Sequence, residues 1–263
     1  MKHLKDIVTE SFFDDDLDSP KSTEKLAKDS IKAFLKSNYK GASQCKISRK
    51  LNEEGKYVVD CKGTLVVTNT KIESLTNDLF VFGTVDRCFE CASCYSLTSL
   101  EGAPKVVEES FICSWCTNLV SLKGAPEKVG NDFNCAYCGI ESLEYSPKEV
   151  GGNFLCNNCI RLTSLKGITQ EVKWSIHCNS CKALTSLEGA PKVVKGDFNC
   201  TGCDALTSLK YAPNEVWGYF SCERCDSLKS LEHSPKTVDG DYFAPWHLKD
   251  DVRKYCNVGR YIR

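Results

Sequence analysis

Residues 184–203 read LTSLEGAPKVVKGDFNCTGC, and this stretch decides the fold because most of it recurs along the chain. The same opening phrase begins at Leu97, Leu119 and Leu206. The full unit follows the pattern L-x-S-L-x-G-A-P-x-x-V-x-x-x-F-x-C-x-x-C-x-x. Self-similarity at a fixed period of roughly 20–50 residues is typical of repeat architectures, in which each unit packs against its neighbours.

Seven Cys-x-x-Cys pairs mark the period. The first cysteines of successive pairs stand 22, 22, 21, 22, 22 and 22 residues apart. They are Cys91, Cys113, Cys135, Cys156, Cys178, Cys200 and Cys222. The second cysteines are Cys94, Cys116, Cys138, Cys159, Cys181, Cys203 and Cys225. The 21-residue step arises because one residue separates Cys138 from Ile140, where the other repeats have two between cysteine and leucine.

Stacking of the units follows from their size. A single unit cannot bury its own apolar face, so the units are expected to stack as rungs about 5 Å apart, each residue beside its own copy. One expected core column contains Phe111, Phe133, Phe154, Ile176, Phe198 and Phe220. A second contains Val107, Val129, Val150, Val172, Val194, Val216 and Val238.

The pattern matches the leucine-rich repeat, with cysteine at the position that carries Asn or Cys in that motif. Asn69 occupies this position in a degenerate first repeat, residues 65–75. The Gly-Ala-Pro stretch disfavours helix. We therefore expect a β-rich solenoid, a leucine-rich repeat with parallel strands and a mostly extended, helix-poor convex side.

Both ends of the solenoid are modified, as terminal repeats must be if the core is to be covered. Tyr57–Asp60 and Thr64–Val67 flank a Lys62-Gly63 turn and predict a β-hairpin cap. At the other end, 241–244 is in register as an eighth strand, but Ala244 and His247 replace the cysteines. A capping helix is expected at 249–255, and 258–262 could form a last strand.

The N-terminal region differs from the repeats. Residues 1–20 are expected to form an arm, either helical or disordered. Pro20 separates it from a clearer helix at about Thr23 to Ser37, with Leu26, Ile31, Phe34 and Leu35 on its apolar face and Gly41 just beyond its end. The predicted domains are 1–20 (arm), 21–63 (helix plus β-hairpin cap), 64–246 (leucine-rich-repeat solenoid) and 247–263 (C-terminal cap).

From about Tyr57 onward the chain resembles cysteine-bearing 22-residue leucine-rich-repeat proteins common in gut bacteriophages and bacteria. Residues 184–191 and 196–200 carry the resemblance, and residues 250–258 look like that family's usual ending. Residues 1–17 are similar to the opening of many phage proteins. The resemblance implies the fold and a phage or bacterial intracellular setting, such as a virion component. It implies no enzymatic activity.

The paired cysteines allow three interpretations. The first is packing, because cysteine behaves as a small buried hydrophobe whose S–H can serve loop backbone groups. The second is zinc, since C-x2-C-x18-C-x2-C falls within zinc-site spacings and all fourteen paired cysteines could be ligands. The third is thiol redox chemistry, which seven redundant copies and the lack of a βαβ context disfavour. The packing interpretation is favoured, and no cofactor is expected unless zinc binds.

A surface for binding is expected on the outward side of the strands. Outward positions occur between Phe and Cys and within the Cys-x-x-Cys turn, and Trp115 and Tyr137 lie on adjacent rungs. Exposed aromatic side chains are typical of binding hot spots. These residues could instead pack on a cap or a neighbouring rung. The candidate binding residues are Glu90, Ile112, Trp115, Asn134, Tyr137, Leu155, His177, Asn199 and Ser221. The positions just before the phenylalanine are also outward candidates: Cys88, Ser110, Asp132, Asn153, Ser175, Asp197 and Tyr219.

Composition narrows the function classes. The net charge of −1 disfavours nucleic-acid binding, and no apolar run could cross a bilayer. No secretory signal is visible, so the eighteen cysteines are expected in a reducing compartment, the cytoplasm of a bacterial host cell or a virion, where disulfides are rare. No Ser/His/Asp grouping or phosphate loop is present. The sequence thus predicts a non-enzymatic scaffold that binds a protein partner through its concave face. The alternatives are a zinc-binding structural protein and a thiol-redox enzyme.

Overall fold

A computed structural model describes the backbone of residues 20–68 and 70–262. The described part is a parallel-strand β-solenoid of about nine turns, preceded by a helix, so the predicted solenoid class is confirmed. The predicted arm, apart from Pro20, lies outside the described residues, and so does Asn69. Within the described residues no helix is long and apolar enough to span a bilayer.

Each repeat contributes one short strand to each of two sides, except the rung of Val172, which has no strand on the valine side. Ten strands form what we call the phenylalanine sheet, in the order β1, β4, β6, β8, β10, β12, β13, β15, β17, β19. Their bounds are β1 Tyr39–Lys40, β4 Leu65–Val67, β6 Phe89–Glu90, β8 Phe111–Ile112, β10 Phe133–Asn134, β12 Phe154–Leu155, β13 Ile176–His177, β15 Phe198–Asn199, β17 Phe220–Ser221 and β19 Tyr242–Phe243.

The valine positions form the other side, in two sheets. The first, in the order β11, β9, β7, β5, β3, β2, has the bounds β2 Cys45–Leu51, β3 Tyr57–Cys61, β5 Phe80–Val85, β7 Val106–Val107, β9 Lys128–Val129 and β11 Glu149–Val150. The second consists of β14 Val193–Val194, β16 Glu215–Val216, β18 Thr237–Val238 and β20 Asn257–Val258.

The valine side is interrupted at one rung. Val172 makes only an isolated bridge, to Val150. In this rung residues 167–170 read GITQ, where the unit used to define the repeat reads GAPK, so Thr169 stands at the proline position. The Thr169 hydroxyl donates to the Lys148 carbonyl, a bond that proline cannot make. The local departure from the repeat therefore coincides with the break between the two valine sheets.

The predicted columns form the core. The register pairs Phe111 with Phe133 and Phe133 with Phe154, and these rings are fully buried. Ring centroids of Phe89 and Phe111 lie 5.4 Å apart, and those of Phe111 and Phe133 lie 5.6 Å apart, with nearly parallel planes. Each core residue therefore lies beside the equivalent residue of the next rung, as the period predicts.

The predicted hairpin between Tyr57–Asp60 and Thr64–Val67 is wrong. β3 pairs antiparallel with β2 and parallel with β5, while β4 belongs to the phenylalanine sheet. Cys61 aligns with Val85 and Leu65 with Phe89. The two segments are thus the valine-side and phenylalanine-side strands of the first rung, and Lys62-Gly63 belongs to the corner between them. The cap does contain a hairpin, formed by β2 and β3.

The two ends are covered by helical segments. Helix α1, Pro20–Asn38, contains the predicted helix and buries Ile31 and Leu35, whereas Leu26 is exposed. At the C-terminus a 3-10 helix, Trp246–Asp251, leads into helix α2, Val252–Tyr255. The predicted last strand is reduced to β20 and a bridge from Ile262 to Tyr242.

Candidate functional site

The paired cysteines form a hydrogen-bonded ladder inside the solenoid. All fourteen are buried. The second cysteine of a pair donates its S–H to the backbone carbonyl of the first cysteine one repeat earlier, with Sγ···O distances of 3.1–3.2 Å. These donor–acceptor pairs are Cys116–Cys91, Cys138–Cys113, Cys159–Cys135, Cys181–Cys156, Cys203–Cys178 and Cys225–Cys200. The ladder satisfies buried carbonyls at the turn between strand and leucine segment.

Hydrogen bonds from neighbouring thiols lower the pKa of Cys116 and of Cys225 to about 4. Burial acts in the opposite direction on other thiols of the ladder. It raises the pKa of Cys181 from its ordinary value of 9.0 to about 12. The pKa of Cys178 is raised well above 9.0, first by burial and then by the neighbouring Cys181 and Cys225 thiols. A protonated thiol can donate a hydrogen bond but is neither a nucleophile nor a metal ligand. These two thiols are therefore suited to packing.

Metal-binding geometry is absent from the part of the chain that the structure describes. In that part no group of three or more His, Cys, Asp or Glu side chains could hold a metal ion. The zinc-like sequence spacing has another origin, because the rung length by itself fixes the separation between one pair and the next. The Cys116 thiol, for example, is directed at a carbonyl oxygen.

Cysteines outside the pairs behave differently. Cys45 and Cys61 face each other across the β2–β3 hairpin and form a disulfide, with Cα atoms 3.9 Å apart. This disulfide was not predicted, and the sixteen other cysteines are free thiols. Cys88 is a half-buried free thiol that donates to the Glu109 carboxylate at 3.4 Å. Cys45 and Cys61 lie outside the seven pairs, but so do the free thiols Cys88 and Cys256, so the repeat pattern alone did not identify the disulfide.

Most predicted binding residues line one face of the phenylalanine sheet. The strand pairings place Glu90 beside Ile112, and Ile112, Asn134, Leu155, His177 and Asn199 on successive rungs. All six are half-buried. Burial lowers the pKa of His177, so this imidazole is predominantly neutral at pH 7.

Ser221 was expected on the same face, but the structure buries it to 3% exposure. Its hydroxyl lies 2.6 Å from that of Thr201 on the preceding rung. Ser221 is therefore not an accessible contact residue.

Trp115 and Tyr137 form a stacked pair on the Cys-x-x-Cys turns. Their ring centroids are 3.8 Å apart and their planes differ by 6°. Both residues adopt left-handed backbone conformation, with φ of 64° and 59°. The equivalent residue in every pair does the same, and these residues are Ser93, Asn158, Ser180, Gly202 and Arg224. The Trp115 ring is 48% exposed. The turn therefore presents two bulky rings at positions where other rungs carry polar residues or glycine.

The residues just before the phenylalanine have a structural role that sequence reasoning missed. Asp132 accepts the backbone N–H of Asn153 at 2.7 Å, and Asn153 in turn accepts that of Ser175 at 3.0 Å. Ser175 and Asp197 continue the series at 2.9 Å each. These side chains link successive rungs. The recurrence of Ser, Asp and Asn at this position was the sequence signal for this role, because these side chains readily bond to nearby backbone groups.

The fold and the repeated rungs define the class of the chain, a parallel β-solenoid repeat protein. Comparison with protein-family models, with curated proteins and with solved structures found no match.

Proposed function

We propose that this chain is a non-enzymatic protein-binding scaffold of the leucine-rich-repeat type, and that it uses the concave face of the solenoid, which we equate with the outward face of the phenylalanine sheet. The partner is a protein. Its contact surface is centred on Trp115, Tyr137 and Leu155, with Ile112 beside them.

The stacked Trp115–Tyr137 pair carries this proposal. The left-handed backbone of these two residues is shared by every Cys-x-x-Cys turn, so it is a feature of the repeat, and the two rings distinguish this place. Aromatic rings that are already stacked lose little conformational freedom when a partner covers them. Trp and Tyr are also the residues most enriched in interface hot spots. An exposed, pre-organised pair of this kind is therefore well suited to anchor a partner.

Neighbouring residues extend the patch. Ile112 and Leu155 supply apolar side chains on strands β8 and β12, on either side of Asn134 in β10. Glu90 and Asn199 supply polar groups further out along the same face. An apolar centre with a polar surround is the usual anatomy of a protein interface.

The cysteine pairs support a structural role better than the two alternatives. The S–H bonds from the second cysteines to buried carbonyls favour packing over redox catalysis. The zinc alternative has no supporting geometry in the described residues. The resemblance to phage and bacterial proteins motivates the rest of the proposal, a virion-associated or host-interacting protein that acts in the cytoplasm of a bacterial host or in the virion.

The experiment is photo-crosslinking from position 112, followed by affinity measurement with the protein that is captured. The test variant combines Trp115→Ala, Tyr137→Ala and Leu155→Ala. We expect its Kd to rise at least about 30-fold, since hot-spot truncations cost about 2 kcal/mol or more.

The matched control combines Tyr145→Ala and Tyr211→Ala, two exposed tyrosines in left-handed backbone outside the patch. We expect the control to bind within about threefold of wild type, because rim and surface positions contribute little. Circular dichroism and thermal melting establish that both variants are folded. Unchanged binding by the test variant would show that the patch is not the contact surface.

A further inference from the structure

A second site lies where the chain turns from the valine side to the phenylalanine side. Three residues form this corner in each rung. The middle one is Trp174, Gly196, Gly218 and Gly240 on four successive rungs, as the bonds from each N–H to the preceding carbonyl show. Arg260 follows on the next rung. The three glycines carry no side chain, and a groove lies at this corner beside Gly218, Gly240 and Arg260.

The groove contains a cavity of about 240 Å³ above Gly218 and Gly240. Trp217, Tyr219 and Phe243 supply its aromatic walls. The Tyr219 and Phe243 rings meet edge to face at 5.7 Å, and Asn199 Nδ2 donates to the Tyr219 hydroxyl at 3.2 Å. The Trp217 ring is 52% exposed. Two walls are therefore held in place, and the third is a half-exposed indole ring with Lys195 Nζ over it, 5.8 Å from the centroid.

Polar groups complete the lining. The charged residues of the lining are Asp197, Asp241 and Arg260. Asp197 Oδ1 accepts the Tyr219 backbone N–H at 2.9 Å, which fixes that carboxylate in the groove. Hydrogen-bond acceptors and donors thus surround one aromatic cavity.

Charge discriminates between ligand classes. Two carboxylates oppose a bound anion. Arg260, together with Lys195 Nζ at 5.8 Å from the Trp217 ring centroid, opposes a bound cation. Because carboxylates and a guanidinium line the same cavity, the groove disfavours an ion of either sign and favours a neutral ligand that both donates and accepts hydrogen bonds and also has an apolar face.

We propose that this groove binds a neutral sugar, one pyranose ring or one residue of a longer glycan. The C–H face of the sugar lies on the Trp217 indole. Its hydroxyls donate to Asp197 and Asp241 and accept from Arg260, since carboxylates accept and a guanidinium donates. The cavity is smaller than the roughly 300–1,000 Å³ of typical small-molecule sites, which suits a single ring. The site is independent of the Trp115–Tyr137 patch, so either can fail without the other.

The test is saturation-transfer-difference NMR with D-glucose, D-galactose, D-mannose and N-acetyl-D-glucosamine, with tetramethylammonium and inorganic phosphate as ionic probes. We expect transfer to at least one sugar and to neither ion. Titration then gives a Kd that rises at least tenfold for Trp217→Ala and for Asp197→Asn. The Asn variant keeps an oxygen acceptor for the Tyr219 N–H, so it separates recognition from folding.

Trp174→Ala is the matched control, because Trp174 is an exposed tryptophan at the same corner but outside the cavity. It should bind like wild type. The proposal is overturned if none of the four sugars receives saturation, if tetramethylammonium or phosphate binds in their place, or if both groove variants retain wild-type affinity.

Discussion

The N-terminal cap and the repeats both bury apolar side chains, but they pack them in different ways. In the repeats each buried residue meets its own copy, as in the parallel stack of Phe89, Phe111 and Phe133. In the cap the rings are tilted instead of stacked, for example Tyr39 and Phe82, which meet edge to face at 5.4 Å. The cap also uses antiparallel pairing and a disulfide, whereas the rungs use parallel pairing and free thiols.

The difference follows from symmetry. A rung inside the solenoid has identical surfaces above and below it, so one well-packed column stabilises every repeat. The cap has a repeat on one side only, and its other side must end the core with residues that occur once. The predictions below test this contrast, from the largest expected effect to the smallest.

Truncation of one phenylalanine in the core column should have the largest effect on stability. Phe133 is fully buried, with ring centroids 5.6 Å from Phe111 and 5.2 Å from Phe154. We expect Phe133→Ala to lower the free energy of unfolding by about 3–5 kcal/mol, because the cavity remains between two rungs. Urea unfolding followed by circular dichroism measures it. Leu51→Ala, at a half-exposed cap position, is the control and should change stability by less than about 0.5 kcal/mol. A loss below about 1 kcal/mol at Phe133 would mean that the column is not the main source of stability.

The disulfide should affect the cap alone. Cys45 and Cys61 are 16 residues apart in sequence, and a crosslink closing a loop of that size contributes about 3 kcal/mol. We expect the double variant Cys45→Ser/Cys61→Ser to speed amide hydrogen exchange in β2 and β3. Amides of β10 and β12 should exchange at wild-type rates and serve as internal controls. Faster exchange throughout the chain would contradict the view that cap and repeats are separately stabilised.

A single thiol of the ladder should have a smaller effect. Cys181→Ala removes the S–H bond to the Cys156 carbonyl and leaves that buried oxygen without its thiol donor. The expected loss is about 1–3 kcal/mol in urea unfolding. Cys88→Ala, which alters a half-buried thiol outside the ladder, should cost less than about 0.5 kcal/mol. Equal losses in the two variants would argue against a special role for the ladder.

The Cys181 thiol should also make the stability of the folded chain depend on pH. Because the pKa of Cys181 is raised from 9.0 to about 12 in the folded chain, only the unfolded state loses this proton between those values. Stability from this group is therefore complete below pH 9 and falls as the pH rises toward 12. Urea midpoints at pH 8 and pH 10 should differ more in wild type than in Cys181→Ala. A larger pH dependence in the variant would contradict the assignment.

The smallest expected effect is an increase in the stability of the cap. The Tyr39 hydroxyl is buried and has no hydrogen-bond partner among the described residues. Tyr39→Phe removes it and keeps the ring contacts, so the free energy of unfolding should rise by about 1 kcal/mol. Thermal melting with and without reduction of the disulfide locates the gain in the cap. A lower melting temperature would indicate that the hydroxyl stabilises the native state.

The repeats could be predicted from the sequence because their core residues recur with a fixed period. Phe, Val and Cys recur at fixed positions, and stacking follows from the need to bury them. The cap hairpin was placed wrongly because a strand–corner–strand step has the same alternation as a strand–turn–strand hairpin. The prediction that Ser221 is an outward binding residue was wrong because the neighbouring rung contributes Thr201, whose hydroxyl contacts that of Ser221.

The sequence by itself determined the rung length, the core columns and the need for caps, because hydrophobic periodicity leaves no other way to bury these residues. Only the tertiary structure decided where each side chain points. It directed the ladder thiols at carbonyls, joined Cys45 to Cys61, stacked Trp115 on Tyr137 and opened the groove above Gly218 and Gly240. These features depend on contacts between rungs, and a contact between rungs is set by the register of the solenoid, which no single repeat contains.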